Sequence, residues 1–577
     1  MDKNKQLAQI FEKMADILEF LGDNPFRIRT YRRVAKILEN FPMDLETALK
    51  SGYIYKIKGI GGSTLAKIEE FLKTGTVRKY EELKKKVPLE LLELTEIPGV
   101  GPKTLKTAYE KLGIRTKEDF IKALKDGSLA RLPGFGAKKV EKLLKGLQLW
   151  QESQERIPLI TAYPLAQRIL DYLKTAAGQY IEKVTIAGSV RRMKETIRDF
   201  DILVSATRKN WKKIHDLFVR FPDIEDVQLH GETKSTILLK EYKRQCDLRT
   251  VEPDSWGSAL QYFTGSKYHN IKLREIAKEK GLKISEYGIY DTKTGKRLGG
   301  QREEEIYTLL GMQYIPPEIR ENTGEIELAL EGKIPKLVEY TDLRGDLHMH
   351  TNWSDGINTV KEMVKACIEL GYEYMAISDH SQSSKVANGL TPERFNKQNE
   401  EIERVRKLYG DKIEVLWSVE VDILPDGSLD LPDGVLKQFD FVTASIHSGF
   451  NRDNTERIIK AMENPYVNLI GHPFGKQYGY REGYPLDFER ILEKAKETNT
   501  ALEINSQRED LDSQHIRLAV EKGVKLVINS DAHSIAQLWS VKIGLGLARR
   551  GWAKREDILN TYPMEVIRGF VHSKRGK

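Results

Sequence analysis

The sequence predicts a multidomain α+β protein, helical at its N-terminal end and α/β at its C-terminal end. Three observations carry this reading. The chain has 577 residues, enough for roughly three to five domains. Its first 150 residues place apolar side chains at helical spacing between short Gly-containing turns, as in Leu7, Ile10, Phe11, Met14, Ile17 and Leu18. After residue 341, short apolar strands alternate with helical stretches, the pattern of a barrel or a layered sheet. Between these parts, Val184-Thr185-Ile186-Ala187, Phe200-Asp201-Ile202-Leu203-Val204 and Thr236-Ile237-Leu238-Leu239 read as strands. Helices return around 258–280. The stretch from Tyr314 through Pro316-Pro317 to Pro335 reads as a linker.

Composition excludes several classes. Hydrophobic residues are 40% and charged residues 31%, the balance of a soluble globular protein. No apolar run approaches the roughly 20 residues that span a bilayer. The charged start, Met1-Asp2-Lys3-Asn4-Lys5, shows no secretory signal. The expectation is a cytoplasmic, nucleoid-associated protein with no membrane partner. Cys246 and Cys367 are too few for a disulfide scaffold or a Cys-rich zinc module. The net charge is +8, but it is uneven. Residues 341–577 hold 32 Lys/Arg against 36 Asp/Glu, and the first 340 residues hold 61 against 49. The N-terminal part suits a polyanion. Eight of the 11 histidines follow residue 340 and suit metal ligation.

A repeat sharpens the N-terminal reading. Ile57-Lys58-Gly59-Ile60-Gly61, Ile97-Pro98-Gly99-Val100-Gly101 and Leu132-Pro133-Gly134-Phe135-Gly136 share one form, and each runs into an amphipathic helix. Paired glycines let backbone approach a phosphate, and the following helix offers free N–H groups. These segments resemble helix-hairpin-helix motifs, which grip the DNA backbone without reading its sequence.

Two constellations carry chemistry. In the first, Ala187-Gly188-Ser189-Val190-Arg191-Arg192 precedes Asp199-Phe200-Asp201. Asp199 and Asp201 alternate with apolar residues, so both carboxylates leave one face of a strand. Adjacent carboxylates repel unless cations lie between them, and two Mg²⁺ (or Mn²⁺) ions would suit in-line phosphoryl transfer. Asp247, on another strand-like run, supplies a third carboxylate. Gly188, Ser189 and Arg192 suit a triphosphate. In the second, Asp346-Leu347-His348-Met349-His350 opens a dispersed series. Asp355, His380, Glu420, His447, His472, Asp531 and His533 continue it, most of them at the ends of short apolar runs. A (βα) barrel gathers its functional groups at that end. Imidazole and carboxylate without thiolate suit two or three Zn²⁺, Mn²⁺ or Fe²⁺ ions.

On these residues, 1 to about 318 resembles a family X DNA polymerase, and 341–577 resembles a PHP (polymerase and histidinol phosphatase) domain. The segment Trp256 to Asn270 is similar to the first family's nucleotide-selecting segment. The resemblance implies that Tyr262 and Phe263 flank the incoming sugar, that Gly265 belongs to the nucleotide site, and that Asn270 meets the base edge. Arg198 stands where some members carry a small residue. Lys67 matches the family's Schiff-base lysine. Tyr31 and Arg27 match its 5′-phosphate pocket, with Arg27 in place of a lysine. Lys67 keeps two readings, a 5′-deoxyribose-phosphate lyase nucleophile or a lysine that only contacts phosphate. For the second family, the ligand positions fall on His348, His350, Asp355, His380, Glu420, His447, His472, Asp531 and His533, with Ser418 replacing a frequent glycine. The implied fold is a distorted seven-stranded barrel, and the implied chemistry is phosphoester hydrolysis by a metal-activated water.

The expected domains are therefore a lyase-like helical domain (1–82), a helix-hairpin-helix fingers-type domain (83–153), a nucleotidyltransferase palm (154–253), a thumb (254–318), a linker (319–340) and a PHP domain (341–577). The expected function is DNA-directed DNA synthesis in base excision repair, as short-gap filling by a monomer on gapped or primer-template DNA with deoxynucleoside triphosphates. A 3′→5′ exonuclease would accompany it. Two other readings are a DNA-end binding module with inactive sites, and a carboxyl half acting as a small-molecule phosphatase. The two activities are expected to separate on truncation near residue 318.

Overall fold

The computed structural model describes residues 3–39, 45–50, 53–56, 60–96, 100–132, 135–136, 139–140, 143–144, 156–477 and 483–576. The chain forms two compact units, Met1–Glu155 and Arg156–Lys577.

The first unit is helical throughout its described residues. Helix Lys3–Leu21 packs on Pro25–Glu39, and Leu7, Phe11, Met14, Ile17 and Leu18 are buried as their spacing predicts. One hydrophobic core runs from Leu7 to Leu143, so the segments expected as separate domains, 1–82 and 83–153, share it. Gly61 and Gly101 N-cap helices Gly62–Thr74 and Pro102–Leu112 in extended conformation.

The second unit begins with a five-stranded sheet. Its strands are β1 (Lys183–Ile186), β2 (Phe200–Ser205), β3 (Ile224–His230), β4 (Lys234–Leu239) and β5 (Gln245–Val251). Their spatial order is β1-β2-β5-β4-β3, with β2 and β5 parallel. The helix Leu159–Ala177 buries Leu165, Ile169 and Leu173 in the core that this sheet helps to build. A small antiparallel sheet follows, β6 (Leu282–Ser285), β7 (Gly288–Asp291) and β8 (Arg297–Gly299).

The last part is a parallel sheet of seven strands in sequence order. These are β9 (Gly345–Asp346), β10 (Tyr374–Ile377), β11 (Glu414–Asp422), β12 (Phe441–Ser445), β13 (Leu469–Ile470), β14 (Ala501–Asn505) and β15 (Leu526–Asn529). Both faces are covered, so the strands read as apolar runs such as Leu526-Val527-Ile528. A parallel bridge between Met349 and Ala532 joins the first strand's extension to the last and nearly closes the barrel.

Residues 319–340, expected as a linker, are packed. Arg320 is fully buried, donating to Glu303 at 2.6 Å and to the Ile315 carbonyl at 2.9 Å. Helix Glu325–Leu330 comes next, and its buried Glu325 bonds His269 at 2.8 Å. Pro316-Pro317 read as the start of a linker, but the buried Arg320–Glu303 ion pair, the Glu325–His269 hydrogen bond and a core running from Leu273 to Leu337 that also takes in Trp552 hold the stretch in place.

The five-stranded sheet and the barrel also share one hydrophobic core. Tyr163 stacks on Trp539 with ring centroids 6.1 Å apart. Glu509, just past β14, accepts the Ile160 amide at 2.6 Å and so caps the helix Leu159–Ala177 from the barrel side. Burial and the nearby Glu195 push the Glu509 carboxyl up to about 8. A cut at 318 would strip these contacts, so the sequence-based expectation of simple separability does not account for this packing.

Candidate active sites

The barrel site is built from strand ends. His348 and His350 follow β9, and Asp355 lies on the loop beyond. His380 follows β10, Glu420 sits near the end of β11, and His447 and His472 follow β12 and β13. Asp531 and His533 follow β15. The structure brings all nine together. His348 Nε2 and His350 Nε2 are 3.2 Å apart, and His350 Nε2 is 3.1 Å from Asp531 Oδ1. Glu420 is central: its Oε2 lies 2.9 Å from His380 Nδ1 and 3.4 Å from His348 Nε2, and its Oε1 lies 2.9 Å from His472 Nε2 and 3.4 Å from His447 Nε2. Asp355 Oδ2 is 3.4 Å from His533 Nε2.

The donors fit divalent cations. Three groups have ligand atoms mutually close enough to share an ion: His350, Asp355, His380 and His533; His348, His350 and Glu420; and His380, Glu420 and His447. Among the described residues, five buried atoms here, His350 Nδ1, His380 Nδ1, His447 Nε2, His472 Nδ1 and Glu420 Oε2, make no well-directed hydrogen bond, although His380 Nδ1 and Glu420 Oε2 lie 2.9 Å apart. Such orphaned polar atoms are costly unless something binds them. Electrostatics agree. Burial would lower His447 and His533, yet adjacent carboxylates raise both to about 9. Burial and neighbouring imidazoles push His350 down to about 3. Burial would raise Glu420 and Asp531, but the surrounding histidines hold both well below the usual carboxylate range. His472 and Asp531 have φ of +30° and +52°, strained backbone of the kind found at functional sites.

Three residues here went unassigned in the sequence. Glu503 accepts from His348 Nδ1 at 2.6 Å and from the His472 amide at 2.8 Å. Asp422 lies 2.5 Å from His447 Nδ1, and Arg508 Nε donates to Asp531 at 3.2 Å. They orient the side chains of this cluster, as partners behind a metal site do. Their only signal was a carboxylate or arginine near a strand end, too common to single out.

The second site lies on the five-stranded sheet. Asp201 and Asp247 are register partners across β2 and β5. Burial, then the charges of Asp199 and Asp247, push the Asp201 carboxyl up to about 7. Three mutually repelling carboxylates fit a divalent cation. Asp247 is already engaged: Thr236 donates to one oxygen at 2.6 Å and Lys234 sits 2.6 Å from the other. Lys234 was also missed in the sequence, and an arriving cation would compete with it.

Gly188 explains itself by close approach. Its φ is +57°, and a Cβ there would lie 2.0 Å from Asp201 Oδ2. Gly188→Ala should displace that carboxylate and lower single-nucleotide insertion about 100-fold, with barrel hydrolysis unchanged as the control for folding. Unchanged insertion would remove Gly188 and Asp201 from the site.

Tyr262 and Phe263 stand edge to face at 5.1 Å, and Arg249 lies over Phe263. Asn270 accepts from Gln261 at 2.7 Å and donates to the Tyr262 carbonyl at 2.7 Å, so a base edge would have to displace one of them. Arg192 donates through Nε to Glu321 at 2.9 Å and through Nη1 to the Thr264 carbonyl, beside Gly265. Ser189 follows Gly188 in the short helix Gly188–Arg191.

In the first unit, Arg27, Tyr31 and Lys67 line one cavity of about 920 Å³. Lys67 Nζ is bonded to the Ser63 carbonyl and hydroxyl, each at 2.9 Å. Of the hairpin glycines, Gly61, Gly101 and Gly136 face open space. Gly59, Gly99 and Gly134 lie outside the described residues.

Comparison with known proteins matches this geometry. Residues 2–77 match a helix-hairpin-helix domain, 91–149 a SAM-like helix-hairpin-helix tandem, 259–321 a DNA polymerase beta thumb and 346–507 a PHP domain. The chain is 39% identical over 573 residues to the DNA polymerase/3′-5′ exonuclease PolX of Bacillus subtilis (strain 168), covering 98% of this chain and 99% of that one. A probable phosphatase of Thermoanaerobacter sp. (strain X514) is 31% identical over 248 residues, covering 40% of this chain and 96% of that protein. A probable phosphatase of Acetivibrio thermocellus is 33% identical over 202 residues, covering 33% of this chain and 78% of that protein. A match of this identity along nearly the whole length, with thumb and PHP segments in the same chain, means that this protein belongs to the PolX family, the family X DNA polymerases that carry a PHP domain.

Proposed function

We propose that the chain is a DNA-directed DNA polymerase of repair, filling short gaps, whose barrel is a metal-dependent 3′→5′ exonuclease. One observation carries this: two separate cation-fitting centres share one chain, a carboxylate site on a palm-like sheet and a His-rich site in a PHP barrel. A DNA-end binding module with inactive sites would have no need of either. The small-molecule phosphatase reading rests on relatives that match only the barrel part.

Asp199, Asp201 and Asp247 hold Mg²⁺ or Mn²⁺; Gly188, Ser189 and Arg192 take the triphosphate. Tyr262, Phe263, Gly265 and Asn270 select the nucleotide. The nine barrel ligands hold two or three Zn²⁺, Mn²⁺ or Fe²⁺ ions, which supply Lewis acidity and an activated water when bound. Gly61, Gly101 and Gly136 present helix N-termini to DNA phosphates in the cytoplasm. Segments 1–82 and 83–153 hold the DNA, 154–253 is the palm, the thumb starts at 254, and 341–577 is the hydrolytic domain. Arg27, Tyr31 and Lys67 bind a 5′-phosphate.

The test is a 5′-labelled primer on gapped DNA. With Mg²⁺ and all four nucleotides the primer should lengthen to fill the gap. With Mn²⁺ and no nucleotides it should shorten from its 3′ end. A primer unchanged under both conditions would overturn the proposal.

A further inference from the structure

Arg550 ends the helix Val541–Arg550, which packs on β14 and β15 of the barrel. Its side chain is buried, yet its partners belong to the palm and thumb. Nη1 donates to the Arg192 carbonyl at 2.9 Å, to the Glu318 carbonyl at 3.1 Å and to Glu321 Oε1 at 3.1 Å. The same Glu321 oxygen accepts Arg192 Nε at 2.9 Å. One carboxylate thus lies between two guanidiniums, and Arg550 also holds the backbone of the residue whose side chain it anchors. Burial would raise the Glu321 carboxyl, but Arg192 and Arg550 keep it below its usual range.

The same face fixes the rest of this loop. Glu195 accepts from the Ser513 amide at 3.1 Å and from its hydroxyl at 2.5 Å. Met193 fills the space that Gly546 leaves open, where a Cβ would lie 2.4 Å from its Cε. Residues 192, 193 and 195 are each held from the barrel. The loop runs from Gly188, Ser189 and Arg192 to Asp199 and Asp201, so it connects the triphosphate groups with the metal carboxylates. Arg192 itself rests against the Thr264 carbonyl and Gly265.

We infer that Arg550, a residue of the hydrolytic domain, is a positioning residue for nucleotidyl transfer, holding the Arg192 guanidinium in place for the incoming triphosphate through Glu321 and the Arg192 carbonyl. This rests on the polymerase reading above. Arg550 touches neither nucleotide nor metal; it acts through Arg192. Nη1 alone meets two carbonyls and a carboxylate, while Nε lies 3.6 Å from Glu195 Oε2, so one guanidinium faces both ends of the loop; the compact ammonium of a lysine keeps the charge but not that reach.

The test is single-nucleotide insertion kinetics on gapped DNA with the full-length protein. A hydrogen bond to a charged group contributes roughly 1.5 kcal/mol. Arg550→Ala should therefore raise KM for the nucleotide about tenfold, with kcat within about twofold and 3′→5′ degradation unchanged. Arg550→Lys should fall between Arg550→Ala and the parent. In an Arg192→Ala background, Arg550→Ala should add nothing to KM, because the group it positions is gone. An unchanged KM, or effects that simply multiply, would overturn the inference. If Arg550→Ala also lowers degradation, the fold has suffered, and Glu321→Gln replaces it: the same KM rise, absent in the Arg192→Ala background, is expected, and an unchanged KM again overturns the inference. A wild-type protein that inserts no nucleotide at all would instead take down the polymerase reading, and this inference with it.

Discussion

Asp201→Asn is expected to abolish primer extension while making the metal-free protein more stable above pH 7. The carboxylate is one of the three proposed to hold the catalytic cation, and losing a cation-stabilised transition state is worth several kcal/mol, or roughly 10³-fold in rate. Stability moves the other way. In the fold the Asp201 carboxyl is pushed up to about 7 from 3.8, first by burial and then by Asp199 and Asp247. A carboxyl raised on folding favours the protonated form, so ionising it costs stability. That cost is at most about 4 kcal/mol above pH 7 and fades as pH falls through 3.8, below which the acid is protonated folded or unfolded. Melting curves of parent and variant in a chelator should therefore diverge at pH 8 and converge below about pH 3. Extension at the parental rate would remove Asp201 from the site. Convergence at pH 8 would show that burial and the neighbouring carboxylates do not raise the Asp201 carboxyl as described.

Replacing both His348 and His350 by Ala should empty the barrel of metal and stop 3′→5′ degradation, with gap filling retained. Two nitrogen donors leave one side of the cluster at once, and each belongs to a group of potential ligands that includes the other. Ligand loss should lower metal affinity by more than the 10–100-fold typical of the residues behind a ligand. The second consequence is structural. His348 is raised far above its ordinary value, against the effect of burial, by Glu503, Glu420 and Asp531. Without it those buried carboxylates lose a cation, an effect on the order of 3–5 kcal/mol. Metal content by elemental analysis and degradation of a 5′-labelled primer should fall together. Retention of both would sink the ligand assignment. Loss of gap filling as well would show that the barrel's integrity supports the palm.

Much of this was legible from the chain alone, for physical reasons. The proposed ligands His348 and His350 share a His-x-His step at a strand end, and Asp199 and Asp201 alternate along one strand, so local geometry already implied proximity. Pairing Asp201 with Asp247 needed the parallel register of β2 and β5, 46 residues apart, which no local pattern states. Glu503, Asp422 and Arg508 were hidden because their role depends on which ring nitrogen or carboxylate they face. Lys234 looked like any exposed strand lysine. The stretch after Pro316-Pro317 misled because proline marks a break in regular structure. Residues 319–330 are instead held by Arg320 and Glu325, charges that read as solvated until their buried partners Glu303 and His269 are known.

The cap that Glu509 places on the helix Leu159–Ala177 has a thermodynamic meaning. A helix start leaves amides without partners within the helix, and here the acceptor for one of them comes from beyond β14, some 350 residues later in the chain. With Glu195 bonded to Ser513 and one core common to sheet and barrel, the free energy of opening the palm includes that of exposing the barrel. Amide exchange in the two should report a single cooperative transition, so that neither catalytic region melts alone.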